Sequence, residues 1–129
     1  MNLNQVTIPS LNVEKSVAFY KTLGLQLIVE AYPRYARFEC PEGDATFSIH
    51  LVEKLAPENG TSIYFEEKEL DKKVIELQRK GITFDQLPED KSWLWREAYL
   101  KDPDGNQLIL FYGGDARKNP PWRLTETND

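Results

Sequence analysis

The sequence predicts an α+β fold of two paired β-α-β-β-β modules, and three observations carry that prediction. Shifting the segment that begins at Gln5 onto the one that begins at Ser62, 57 positions further on, keeps its pattern. Val6 falls on Ile63, Ile8 on Phe65, Val13 on Leu70, Val17 on Val74, Gly24 on Gly81 and Leu27 on Phe84. Each copy also holds an apolar stripe at helical spacing that a glycine closes. Before and after that stripe, apolar and polar residues alternate with the period of a half-buried strand. A repeat this long, present twice, does not suit a solenoid, so two modules around a shared interior are expected.

The elements follow in order. Residues 5–9 alternate Val6 and Ile8 against Gln5 and Thr7, and Pro9 ends the strand. Asn12 is an N-cap, and Val13, Val17, Tyr20 and Leu23 give a helix over 13–23 that Gly24 stops. Strands are expected over 25–31 and 35–39 around Tyr32, Pro33 and Arg34, then over 45–53 after the turn from Pro41 to Asp44. Module one spans about residues 3–53, and residues 54–61, with Pro57, Asn59 and Gly60, form the linker.

Module two, about residues 62–112, restarts with a strand over 62–66. Its helix has Leu70, Val74, Leu77 and Gln78 on the inner stripe and runs up to Gly81. A strand over 82–86 leads into a polar segment, 87–92. Two more strands, 93–101 and 107–112, join through Asp102, Pro103, Asp104, Gly105 and Asn106. Residues 113–129 read as a loop-like tail in which Trp122 is expected to pack its indole.

Composition narrows the function classes. With 129 residues, 40% of them hydrophobic, the chain can bury a core as a single domain. A net charge of −5 supplies no footprint for phosphate backbones, so nucleic acid is not an expected partner. There is no apolar run of the ~20 residues a membrane helix needs, and no signal-peptide pattern at the start. Cys40 is the single cysteine and cannot form an internal disulfide. A cytoplasmic protein is the expectation.

The helix from Asn12 to Lys21, the following Leu23, Gly24 and Leu25, and the late Asp102-Pro103-Asp104-Gly105-Asn106 turn together resemble the vicinal oxygen chelate superfamily. That group includes glyoxalase I, bleomycin-binding resistance proteins, fosfomycin-resistance enzymes and extradiol dioxygenases. The likeness covers about residues 3–112. It implies paired modules whose open sheets line a cleft, commonly in a homodimer. In metal-dependent members each module offers two inward ligands from its first and fourth strands. Carried over by motif spacing, these positions are Gln5, His50, Ser62 and Ile109. Ile109 has no donor atom and Ser62 is a poor neutral ligand, so no metal and no other cofactor is expected.

His50, the one histidine, has two readings. It is either a structural residue satisfied by a polar neighbour or a proton-transfer group, because alternation places Ser48, His50 and Val52 inward. Residues just before Asp102 line the site in similar resistance proteins, and alternation selects Trp95, Glu97 and Tyr99 for that face. Glu97 is read either as an ion-paired or solvated residue, or as a carboxylate that binds a cation or acts as a base. His50 and Glu97 are thus the catalytic candidates. Gln5, Ser48, Ser62 and Tyr64, with Trp95, Tyr99, Ile109 and Phe111, are the ligand-binding candidates, and the aromatics among them suit a planar ligand.

Three functional readings remain open. One is metal-independent binding of a small aromatic or cationic molecule, as in the bleomycin-binding relatives. Another is a glyoxalase-like isomerase or lyase without the metal, using His50 and Glu97. The third is a domain with a vestigial cleft whose role is association.

Overall fold

The computed structural model describes residues 2–56 and 61–124. The chain divides into two compact units: Met1–Thr61 with Lys101–Asn106, and Ser62–Leu100 with Gln107–Asp129. The break falls at the end of the expected linker, part of which, residues 57–60, lies outside the described residues.

The first unit contains β1 (Gln5–Ser10), α1 (Val13–Leu23), β2 (Gln26–Ala31), β3 (Tyr35–Glu39) and β4 (Thr46–Leu51). Asn12 caps α1 by accepting from the Lys15 amide, and Gly24 takes the left-handed C-cap with φ 110°. The sheet runs β1-β4-β3-β2. Strand β1 is parallel to β4, and the other pairs are antiparallel. Alternation sends Ala36, Phe38, Phe47 and Ile49 into the core. There the Tyr20 ring on α1 meets Phe47 at 4.7 Å.

The Asp102–Asn106 turn belongs to this unit, and hydrogen-bond accounting shows why. Tyr20 donates its hydroxyl to Asp102 at 2.6 Å, and Ser16 donates to Asp104 at 2.8 Å. The Leu11 amide donates to Asp104 as well, at 2.8 Å, and Asn106 donates to the Pro9 carbonyl. Two carboxylates thus satisfy donors on α1 and just before it, with Asp102 buried. Burial and the charge of Asp102 push the Tyr20 phenol far above its usual range.

The second unit contains β5 (Ser62–Glu66), α2 (Leu70–Arg79), β6 (Gln86–Asp90), β7 (Arg96–Lys101), β8 (Gln107–Tyr112) and the short 3-10 turn η1 (Gly114–Arg117). Its sheet, β5-β8-β7-β6, repeats the first topology, with β5 parallel to β8. Helix α2 buries Leu70, Val74 and Leu77 and packs on β6 and β8. Glu69 stands where Asn12 stands in the first copy but makes no side-chain cap. Both sheets are mixed and open, which fixes the class as α+β.

Three expectations need correction. The strand expected over 82–86 forms later, at Gln86–Asp90, inside the segment read as polar. Its side chains are mostly half-buried or exposed, and edge pairing with β7 rather than hydrophobicity defines it. Strand β7 begins at Arg96, not Trp93, because Leu94 adopts φ 71° and turns the chain. Finally, the Trp122 indole is not packed; the residue is 57% exposed.

Candidate functional site

Each sheet has one face under its helix and one face away from it. In the second unit the face away from α2 carries most of the expected ligand-binding residues. Arg96 reaches Asp71 on α2 at 2.8 Å, which fixes the helix side of β7, so Trp95, Glu97 and Tyr99 project the other way. Tyr64, Ile109 and Phe111 join them, since β5 and β8 pair Tyr64 with Ile109. Trp95 stacks on Phe111 with ring centroids 4.6 Å apart, and the Tyr64 ring stands edge-on to Phe111 at 5.5 Å and to Trp95 at 5.9 Å. Tyr64 remains 48% exposed, so this aromatic cluster presents a ring to solvent.

Glu97 sits beside that cluster, 1% exposed. Trp93 donates its indole N–H to one carboxylate oxygen at 2.7 Å, and Tyr99 donates its hydroxyl to the other at 2.7 Å. Neither donor carries charge, and among the described residues no Lys, Arg or His forms an ion pair with Glu97. Burying a carboxylate without a counter-charge is costly, and two charge-assisted hydrogen bonds of ~1.5–3 kcal/mol each offset part of that cost. Burial first, then the Glu97 hydrogen bond and charge, push the Tyr99 phenol up to about 12. Burial and Glu97 also raise Tyr64. Both phenols are therefore neutral donors at physiological pH.

The local chain explains how Trp93 reaches Glu97. Lys91 and Leu94 close a tight turn, with the Leu94 amide on the Lys91 carbonyl at 3.0 Å and the Lys91 amide on the Trp95 carbonyl at 2.8 Å. The left-handed Leu94 costs ~1 kcal/mol or more relative to ordinary backbone. Trp93 is the residue of this site that the sequence reading missed. Its role depends on the Leu94 turn, whereas a continuous strand would have placed Trp93 one step further along the Trp95 face. On the opposite flank, the Lys91 ammonium lies 5.0 Å over the Tyr99 ring and bonds Gln86 at 3.1 Å.

Trp95 is held from the tail. Glu66 accepts from the Gly113 and Gly114 amides at 2.9 and 3.0 Å. Gly113 then lies so close to the indole that a Cβ there would meet its Nε1 at 3.0 Å. The tail expected to be loop-like thus forms one wall of the aromatic cluster.

Of the remaining candidates, Gln5, Ser48 and His50 lie on the first unit's sheet, on the face away from α1, and Ser62 lies on the second unit's sheet. Gln5 is exposed and accepts from Thr46 at 2.9 Å. Ser48 is fully buried and shares a 2.6 Å hydrogen bond with Thr7. His50 is exposed near the end of β4, opposite Pro9 and Tyr35, and Val52 lies beyond the strand. Ser62 is exposed at the start of β5.

The strand registers revise the transferred ligand positions. Thr7 pairs with Ser48 as Tyr64 pairs with Ile109, so Ser48, not His50, is the first-unit counterpart of Ile109. The set becomes Gln5, Ser48, Ser62 and Ile109: an amide, two hydroxyls and a hydrocarbon. These residues do not fit the transition metals that the superfamily's metal-dependent members use. Among the described residues, no three His, Cys, Asp or Glu side chains gather in a metal-binding group.

The fold agrees with direct comparison. The Glyoxalase/Bleomycin resistance protein/Dioxygenase superfamily matches residues 2–110, and the chain belongs to that family. No curated protein matches the sequence. Among solved structures, a member of the same superfamily from Sphaerobacter thermophilus is similar at 25% identity and TM-score 0.71, covering 87% of this chain and 97% of its own. A bleomycin resistance determinant encoded on transposon Tn5 is similar at 22% identity and TM-score 0.73, covering 87% and 98%. A bleomycin-binding protein complexed with bleomycin is similar at 21% identity and TM-score 0.70, covering 88% and 99%. At these last two identities the likeness concerns the fold. Among the described residues no helix is long and apolar enough to cross a membrane.

Proposed function

We propose that this protein binds a small, planar, cationic molecule on the aromatic face of its second unit, without a metal, and that binding rather than turnover is its activity. One observation carries the reading: Glu97 is buried among aromatic rings with neutral donors on both oxygens and no ion-pair partner among the described residues. A positive ligand supplies the missing counter-charge, and the exposed Tyr64 ring, backed by Trp95 and Phe111, offers a surface for stacking and cation–π attraction. The similar fold of a bleomycin-binding protein supports a small-molecule ligand. The unsuitable donor set at Gln5, Ser48, Ser62 and Ile109 supports metal independence.

The proton-transfer alternative has less support. Both Glu97 oxygens are already engaged by protein donors, so the carboxylate serves as fixed charge. His50 sits on the other unit's sheet at an exposed strand end. The reading also places the protein in the cytoplasm as a homodimer, expectations that rest on composition and family likeness. Fluorescence titration with N-methylquinolinium, a planar aromatic cation, tests the core of it. Saturable quenching of tryptophan emission, unchanged after chelator treatment, is expected. Absence of binding, or binding that needs an added transition metal, would overturn it.

A further inference from the structure

The first unit holds a second cluster that the reading above does not use. On the face away from α1, Arg37 donates its Nε–H to the Tyr35 hydroxyl oxygen at 2.9 Å, and its guanidinium lies 5.5 Å from the Tyr35 ring. Ser48 stands opposite Arg37 on the neighbouring strand. Ser48 in turn shares its 2.6 Å bond with Thr7. The register explains the gathering: β3 pairs Arg37 with Ser48, and β1 pairs Thr7 with Ser48, so three neighbouring strands present these side chains side by side.

Counting donors gives the cluster its direction. A neutral phenol has one proton and two lone pairs. Arg37 Nε–H occupies one lone pair of Tyr35, while Thr7 and Ser48 share a hydroxyl–hydroxyl bond in which either can donate. Among the described residues the Tyr35 proton meets no acceptor, so it is left to donate outward. The two terminal nitrogens of Arg37 carry four more N–H donors, and no Asp or Glu among the described residues forms an ion pair with Arg37. Both side chains are only half-buried, so these donors remain accessible. Burial alone would raise the Tyr35 phenol, but its polar neighbours Ser48 and Arg37 and the Arg37 charge outweigh it and lower it. That balance marks an electropositive, donor-rich spot.

We propose that Arg37 and Tyr35, braced by Ser48 and Thr7, form an oxyanion subsite that takes a carboxylate or phosphate group of a small ligand. The guanidinium edge presents parallel N–H donors that match two oxygens of either anion, and the phenol supplies another donor beside it. This proposal is independent of the cation reading, because it rests on different residues in the other unit.

The test uses the full-length protein and three probes: benzoate, phenyl phosphate and uncharged benzamide. Binding is followed by NMR through the Arg37 Nε–H resonance, assigned by its loss in Arg37→Gln. Saturable shifts of that resonance by one or both anions, but not by benzamide, are expected, and the stronger anion identifies the source. Arg37→Gln should weaken anion binding at least tenfold, and Tyr35→Phe severalfold. Equal response to benzamide, no response to either anion, or undiminished anion binding in a folded Arg37→Gln would each overturn the proposal. If Arg37→Gln folds poorly, Arg37→Lys, which also lacks the Nε–H, supplies the assignment and the wild-type resonance then decides the matter.

Discussion

At the residue scale, Glu97 is the unusual group. A buried carboxylate in an apolar setting weakens a fold unless it serves a purpose, and here the purpose proposed is to meet a positive ligand. Glu97→Gln should leave stability within ~1 kcal/mol of wild type, because the loss of one accepting oxygen is offset by relief from burying a charge. Denaturant unfolding checks this. Trp93→Phe should cost more, ~1–3 kcal/mol, since it leaves a buried carboxylate oxygen without its donor. Tyr99 adds a pH signature. Its folded pKa, about 12, lies above the ordinary value of 10.0. It therefore contributes stability that is fully present below about pH 10 and is lost as the pH rises towards 12. Alkaline unfolding curves of wild type and Tyr99→Phe should differ in that window and run parallel below it.

At the element scale, much of the fold was legible. Helix α1 and strands β3, β5 and β8 fall where periodicity and caps put them, because each is bounded by its own local signal: Asn12 and Gly24, a turn, or alternation. Strand β6 was not legible, since an edge strand rich in Glu and Asp has no apolar face to announce it. The start of β7 was hidden by a leucine in a conformation that glycine usually supplies. Leu94→Gly should therefore be neutral or stabilising by up to ~1 kcal/mol, as the side chain is 55% exposed and gives up little burial. A melting temperature lowered by several degrees would contradict this account of the turn. For the candidate site, alternation anchored at Asp102 put Trp95, Glu97 and Tyr99 on one face, as the structure has them. It did not find Trp93 or the Arg37–Tyr35 pair, whose roles depend on a turn and on neighbours across strands.

At the scale of the whole molecule, the chain builds one topology twice and dresses the two sheets differently. The first carries hydroxyls, Arg37 and His50 on the face away from its helix, whereas the second carries rings and Glu97. This divergence suits the metal-independent recognition proposed for a repeat whose ligand positions read Gln5, Ser48, Ser62 and Ile109. A homodimer, expected from family likeness, should appear as twice the chain mass of 15.0 kDa by light scattering. The central claim, that the buried charge of Glu97 selects the ligand, is tested most directly by calorimetric binding of N-methylquinolinium and of quinoline, its uncharged counterpart. Wild-type protein should prefer the cation at least tenfold, and Glu97→Gln should bind the two alike. Equal affinities in the wild type, or a preference that survives in Glu97→Gln, would contradict the account.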